Sequence, residues 1–236
     1  MTSTTPMTSN ISIIVPTLDE AGNITQLARL LELAAEVIIA DGGSTDQTRE
    51  LARTAGLTVT KANGGRGSQL NKGARLAQGD ILVFLHADTR LPPAFGQEIN
   101  TCLTDRTVIA GAFSLKIDAK GPGLRIIEQL ANLRSRLLQL PYGDQAIFMR
   151  RTDFFRYGPF PEVPIMEDYI LIRKLARSGR ITTLDSPVTT SARRWQRLGL
   201  VRTTLINQLM IVGYTIGIPL ASLASFYRRL FVIAKR

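Results

Sequence analysis

Cysteine and histidine are almost absent: the 236-residue chain holds one of each, Cys102 and His86. A single thiol excludes an internal disulfide and any zinc site built from several cysteines, and it fits a reducing compartment. Acidic residues stop after Asp185, whereas eight basic ones follow it: Arg193, Arg194, Arg197, Arg202, Arg228, Arg229, Lys235 and Arg236. With 29 basic and 19 acidic residues in all, the formal charge of +10 sits mostly in this tail, and residues 1–185 carry only +2. The opening "MTSTTPMTSN" has neither a basic stretch nor an apolar one, so it does not read as a secretory signal and is expected to be a loose tail over residues 1–10. No G-x-G-x-x-G follows the first apolar run, which excludes a dinucleotide-binding oxidoreductase. A nucleotidyltransferase would need a basic, glycine-rich loop at the same point, where this chain has Pro16-Thr17-Leu18. Basic residues flank an apolar run instead of alternating with aromatics, so no nucleic-acid partner is expected.

What is present begins as a regular alternation. "ISIIVP" (11–16) is a β-branched apolar run closed by proline and predicts a buried strand. Ile24, Leu27, Leu30 and Leu31, at spacings of three and four, predict a helix after it. "VIIAD" (37–41) predicts a second strand, and beyond it Ser44 and Gln47 stand at capping-box spacing before another helix. "LTVTKA" (57–62), the glycine-rich "NGGRG" (63–67), a helix to Ala77 and "DILVFLHAD" (80–88) extend the series. Strand and helix alternating at this spacing imply an α/β fold with a mostly parallel central sheet and helices on both faces. Past Pro92 and Pro93 the rhythm changes: 108–117 predicts a longer strand, 123–140 an amphipathic helix, 145–151 another strand and 167–178 a helix.

Ligands of open parallel sheets bind beyond the carboxyl ends of the strands, near the point where strand order reverses. Three of the early strands end in polar groups: Pro16-Thr17-Leu18-Asp19-Glu20, Asp41-Gly42-Gly43-Ser44-Thr45-Asp46 and His86-Ala87-Asp88. Such ends can converge on one crevice, giving a nucleotide-binding half followed by an acceptor-facing half. Each residue also has a plainer reading. Ser44 and Asp46 serve equally well as helix caps, and a lone histidine such as His86 is more often a satisfied core side chain than a ligand. Asp41 directly follows an apolar run, so its carboxylate needs donors from the turn or from a bound base. Asp88 offers a hard anionic oxygen at a strand tip, suited to Mg2+ or Mn2+ with diphosphate oxygens and water completing the shell. Arg66 in "GGRG" is a base or phosphate contact if the strand ends converge, and an ordinary turn residue if they do not. Glu167 and Asp168 on the plainer reading begin a helix, where acids favour the dipole.

In order along the chain, "VPTLDE", "IIADGGSTDQT", "FLHADT", "MED" and "ARRW" resemble the motif series of the family 2 glycosyltransferases, whose two-layered nucleotide-sugar fold is called GT-A. The likeness runs from about Ile11 to Trp195. Within that family it resembles the bacterial branch that groups the carotenoid-acid (diaponeurosporenoate-type) glycosyltransferases with transferases associated with radical-SAM and arsenosugar genes. The resemblance implies that Pro16, Thr17 and Glu20 line the nucleoside pocket and that Asp41 and Arg66 face the base. It implies that Ala87 and Asp88 meet the nucleotide sugar, Asp88 holding a divalent metal, Mg2+ or Mn2+, with His86 as a further candidate ligand. Asp168 falls at the general base with Glu167 orienting it, Arg193 and Arg194 approach the diphosphate, and Asp144 and Trp195 contact acceptor or donor sugar. Two positions depart from the pattern. His86 stands where the family's D-x-D has its first aspartate, and Thr190 or Ser191 stands in the region of the glutamine of its Q-x-x-R-W element. The implied reaction is metal-dependent, inverting transfer of a hexosyl-type sugar from a nucleotide diphosphate, UDP foremost.

Residues 203–227 form a run of 25 without a charge, long enough to cross a bilayer. Asn207, Gln208 and Pro219 interrupt it, and arginine clusters flank both ends, where a spanning helix would favour one basic side. Leu205, Leu209, Val212, Ile216, Leu220 and Leu223 recur at three or four residues. The reading adopted is of helices lying in the cytoplasmic face of the cell membrane, held by that stripe and by arginines drawn to anionic headgroups. A buried closing helix or an oligomer contact is the alternative. The expected division is a tail (1–10), a GT-A catalytic domain (11–197) and an apolar, basic helical extension (198–236), with a lipid or hydrophobic acceptor. Two other readings stay open: transfer to a soluble metabolite such as an arsenosugar precursor, and a non-catalytic membrane-binding protein on the same fold.

Overall fold

The structure, a computed structural model, describes residues 10–34 and 36–233. The expected N-terminal tail, except for Asn10, and the terminal Lys235 and Arg236 lie outside them. The first half realises the alternation: β1 (Ile11–Thr17), α1 (Ile24–Ala28), β2 (Glu36–Asp41), α2 (Thr48–Thr54), β3 (Thr58–Lys61), α3 (Arg66–Leu76) and β4 (Ile81–Phe84). Strands so rich in Ile and Val, buried on both faces, satisfy their backbones only by pairing side by side. Thr17 accordingly lies opposite Asp41, and Ile14 lies opposite both Ile38 and Phe84. There follow β5 (Thr89–Arg90), α4 (Phe95–Thr104), β6 (Val108–Asp118), α5 (Pro122–Leu137), β7 (Ile147–Arg150), α6 (Arg151–Tyr157), α7 (Glu167–Leu175) and β8 (Arg180–Ser191).

These strands form one sheet in the order β3-β2-β1-β4-β7-β6-β8-β5. The parallel part, β3 to β4, reverses its order between β1 and β4, the place where an open sheet offers a crevice. Beyond β4 the sheet turns mixed, because β7 runs antiparallel to both β4 and β6, β8 parallel to β6 and β5 antiparallel to β8. Helices cover both faces as expected. One core joins Ile24, Leu27, Ala52, Phe95 and Ile99 to the sheet, and the other joins Leu70, Ala74, Phe154, Leu171 and Ile172.

Local boundaries differ from the sequence reading for identifiable reasons. Leu30 and Leu31 sit in a separate 3-10 turn, Arg29–Glu32, after the short α1. β4 ends at Phe84, where its pairing to Ile14 and Ile147 ends, so His86, Ala87 and Asp88 lie in the turn toward β5. The Ser44–Gln47 capping box does not form, because the Ser44 hydroxyl turns back to Asp41; Asp46 instead accepts from the Thr48 N–H at 2.9 Å at the start of α2. β8 was not legible, since "RITTLDSPVTTS" is rich in threonine and carries no clear apolar alternation.

Two helices leave apolar side chains outside. α5 turns Leu124, Glu128, Ala131 and Ser135 inward and leaves Ile126, Leu130, Leu133 and Leu137 exposed. β6 pairs with β7 at Gly111, and side chains on the inner face of α5 serve the backbone of its far end. Asn132 accepts from Leu115 N–H at 2.7 Å and donates to its carbonyl at 3.1 Å, while Glu128 accepts from Ile117 N–H. The uncharged run of the tail is broken into α9 (Leu200–Thr215) and α10 (Leu220–Ile233), which follow the short α8 (Arg193–Leu198). Gly217 at φ +84° and Pro219 make the turn between them, and no helix among the described residues is long and apolar enough to cross a membrane. Leu205, Leu209, Val212 and Ile216 are exposed, whereas Leu223 leaves the expected stripe and packs inward with Met166, Tyr169 and Met210.

Candidate active site

The first wall of the crevice is the pair of turns after β1 and β2. Asp41 is fully buried, and its turn supplies the donors it needs: Gly43 N–H at 3.1 Å, Ser44 N–H at 3.0 Å, Thr17 Oγ1 at 3.2 Å and the Ser44 hydroxyl. Burial works to raise the Asp41 carboxyl, but the hydrogen bonds from Ser44, Gly43 and Thr17 outweigh it and hold the group below the ordinary aspartate value. With both oxygens accepting from the turn and from Thr17, and no part of the side chain exposed, Asp41 shapes the wall without presenting an open carboxylate. Asp19 and Asp46 knit the two turns together: Asp19 accepts from Thr45 N–H at 2.7 Å, and Asp46 from Ala21 N–H at 3.1 Å. Below them the buried Gln69 amide donates to the carbonyls of Thr17 and Ala40 at 2.9 and 2.7 Å, clamping the ends of β1 and β2.

The crevice floor brings Pro16, Arg66, His86, Gly143, Phe160, Glu167 and Asp168 into one pocket. Asp168 opens α7 and accepts from the backbone N–H of Gly143 at 2.7 Å. A Cβ at position 143 would lie 2.9 Å from Asp168 Oδ2 and 3.0 Å from His86 Nε2, so only glycine permits this approach. Glu167, 6% exposed, pairs with Arg66 at 3.4 Å. Burial pushes the Glu167 carboxyl up, Arg66 pulls it down, and the neighbouring Asp168 adds to the rise. Met166, immediately before, holds a left-handed φ of +68°, the kind of strained backbone that often marks a functional turn. His86 Nε2 is buried with no hydrogen-bond partner among the described residues, and burial, then Arg66 and Arg194, drive its pKa well below the ordinary histidine value.

Beside Asp168, the short turn Gly143–Gln145 and the Tyr142 that precedes it carry two more buried atoms without a hydrogen-bond partner among the described residues, Tyr142 Oη and Asp144 Oδ1. Burial pushes the Asp144 carboxyl up against the pull of Arg134 and Arg194. The turn is pinned by Gln145, completely buried, which donates to the Phe113 carbonyl at 3.0 Å and accepts from Ser135 at 2.7 Å and Tyr142 N–H at 3.2 Å. From Tyr142 a run of edge-to-face rings leads outward, to Tyr169 at 6.2 Å and then to Tyr214 of α9 at 5.6 Å.

Across the crevice, Arg193 at the start of α8 reaches two strand ends at once. Its Nη2 lies 2.9 Å from Asp88 Oδ2 and 3.2 Å from Glu20 Oε2. Two hard carboxylates thus share one cationic nitrogen, and this donor chemistry suits Mg2+ or Mn2+ with phosphate oxygens added. No group of three or more His, Cys, Asp or Glu side chains among the described residues makes a metal site by itself. His86 Nε2 faces Gly143 and Asp168, on the carboxylate side of the pocket. Ala87 packs into the core, and Trp195 packs against Leu115, Ile117 and Leu124. The positive charge of Arg194 acts on both His86 and Asp144, lowering the pKa of each.

The structure thus gathers Pro16, Arg66, His86, Glu167 and Asp168 in the pocket; Glu20, Asp88 and Arg193 form a second group joined to one another, Asp41 and Thr17 a third, and none of these five lines the pocket. Gln69, Gly143 and Gln145 were missed. Their only signal was a glutamine inside a helix pattern and the isolated "GDQ" after a proline, neither of which reports on a backbone partner far away in sequence.

A family model described as glycosyl transferase family 2 matches residues 12–158. Uncharacterized glycosyltransferases of Rickettsia conorii and Rickettsia felis are each 30% identical over 190 residues, 71% of this chain, which spans only 31% of their length. A mannosyltransferase from Pyrobaculum calidifontis in complex with GDP-Man and Mn2+ is similar in structure at a TM-score of 0.63 and 23% identity, over 84% of this chain and 64% of its own. Glucosyl-3-phosphoglycerate synthase from Mycobacterium tuberculosis, in complex with phosphoglyceric acid, reaches 0.59 at 21% identity over 85% and 79%. TarS from S. aureus in complex with UDP reaches 0.62 at 20% over 77% and 60%. The solved structures share the GT-A fold, and the family match covers the strand ends that build the crevice. The chain belongs to glycosyl transferase family 2.

Proposed function

We propose that this protein transfers a sugar from a nucleotide diphosphate, a UDP-sugar foremost, to a hydroxyl of a hydrophobic or membrane-held acceptor, with inversion. The observation that carries the reading is Asp168, fixed by the Gly143 N–H on the pocket wall, with Asp88 and two arginines at the other strand ends. In this reading Asp168 takes the proton of the acceptor hydroxyl while the acceptor oxygen bonds the anomeric carbon and the bond from that carbon to the diphosphate breaks. Negative charge gathers on the departing diphosphate, where Arg193 and Arg194 neutralise it. Asp88 would hold a divalent cation, Mg2+ or Mn2+, which when bound supplies Lewis-acid stabilisation of the same charge. Glu167 keeps Arg66 aimed into the pocket, toward base or phosphate. Asp144 and Tyr142 contact hydroxyls of the acceptor or of the donor sugar.

The acceptor side supports a hydrophobic partner. The Tyr142–Tyr169–Tyr214 run connects the neighbourhood of Asp168 to α9, whose exposed Leu205, Leu209, Val212 and Ile216 are flanked by arginines and by no acid. We place these helices, with the exposed stripe of α5, on the cytoplasmic surface of an anionic membrane. Incubating the protein with Mn2+ and a panel of UDP- and GDP-sugars tests the reading, since a glycosyltransferase hydrolyses its own donor slowly without acceptor. Release of nucleotide from one donor, lost in Asp168→Asn, is the expected result. No release and no nucleotide binding would leave a non-catalytic protein on this fold.

A further inference from the structure

We infer that Arg193 is a placeholder for the divalent cation, holding Asp88 and Glu20 until a metal-nucleotide complex takes Asp88 and frees the guanidinium for the diphosphate. The inference rests on the glycosyl-transfer reading and adds an order of events to its metal-binding carboxylate. One nitrogen, Arg193 Nη2, stands 2.9 Å from Asp88 Oδ2 and 3.2 and 3.3 Å from the two oxygens of Glu20. It ties together the turn after β1, the turn after β4 and the start of α8, segments 173 and 105 residues apart in sequence from Arg193.

The exposure of the groups suits exchange. The Arg193 side chain is 49% exposed, Asp88 25% and Glu20 22%, so water competes for the pair and it opens readily. The backbone beneath stays joined when the side chain leaves, because Ser191 N–H donates to the Asp88 carbonyl at 3.2 Å. A hard divalent cation binds a carboxylate oxygen at about 2.1 Å, and a guanidinium on the same oxygen would face it at short range with like charge. Bare metal therefore has to break the Asp88 contact and leave Arg193 on Glu20 alone. A cation arriving with a diphosphate brings anionic oxygens for that arginine, so every charge is matched again. Metal and nucleotide consequently strengthen each other beyond their direct contact.

The test is Mn2+ binding to the full chain, followed by electron paramagnetic resonance of the free ion, with and without UDP. Arg193→Gln should bind bare Mn2+ about 1.5- to fivefold more tightly than the parent, the range set by loss of a half-exposed ion pair. It should bind UDP more weakly, and the factor by which UDP tightens Mn2+ should shrink. Arg193→Lys, which keeps the charge, should fall between the two. Bare Mn2+ affinity unchanged or weakened in Arg193→Gln, with UDP still bound by the parent, overturns the placeholder and leaves glycosyl transfer standing. A parent protein that binds neither Mn2+ nor UDP nor GDP ends both.

Discussion

Asp41 carries no open oxygen, yet the turns after β1 and β2 are held through it. Four donors converge on a carboxylate that would otherwise be buried at high cost. Because its folded pKa lies below the ordinary value, the stability it contributes is complete above that value. It is lost as pH falls through the folded one, since the unfolded chain takes up its proton first. Asp41→Asn should cost about 2–3 kcal/mol at neutral pH. The difference from the parent should shrink on acidification below the ordinary aspartate range, read by urea unfolding at several pH values; a gap that does not change with pH would contradict this account. Asp168 makes the opposite kind of prediction. It keeps an exposed part facing the pocket, so Asp168→Asn should lower kcat by about 10²–10⁴-fold with UDP and Mn2+ affinities within about twofold, measured by calorimetry alongside turnover.

Among the elements, α5 and α9 behave against their composition. A helix ordinarily buries its most apolar stripe, but α5 spends its inner face on Asn132 and Glu128, which satisfy backbone groups of β6, and so leaves leucines in water. α9 buries Thr203, Ile206, Met210 and Gly213 and likewise leaves a row of aliphatic side chains outside. Each such side chain gains about 1.5–3 kcal/mol on leaving water. Leu205→Gln with Leu209→Gln should therefore weaken binding to vesicles containing anionic lipid by about 10²-fold or more, with UDP affinity unchanged. Equal sedimentation of parent and variant with such vesicles would remove the membrane from the proposal and leave the row as a contact between copies.

Over the whole molecule, the C-terminal hairpin supports the start of α7. α10 and α9 place Leu223 and Met210 against Met166 and Tyr169, the residues on either side of the Glu167–Asp168 pair. Deleting residues 200–236 uncovers that cluster, a loss of about 4 kcal/mol for two large side chains. The midpoint of thermal unfolding should fall by about 10 °C in a chain of this length, with turnover falling as α7 loosens. An unchanged midpoint would show the hairpin to be a separate attachment, with the boundary near residue 198 then a true domain limit.

Sequence alone determined the parallel half of the sheet, because Ile- and Val-rich runs closed by Pro16, Asp41 and Asp88 can satisfy their backbones and bury their side chains in few other ways. It also located most of the crevice, since in such a sheet polar groups at strand ends come together whatever the loops do. Tertiary structure decided what those groups touch. Arg193 on Asp88 and Glu20, Gly143 against Asp168 and His86, Gln69 and Gln145 on distant carbonyls, and the outward leucines of α5 all arise from partners far along the chain. Local periodicity reports only neighbours within a turn or two. The choice of which oxygen accepts and which stripe is buried belongs to the packing of elements, where an unsatisfied backbone amide outweighs an exposed leucine.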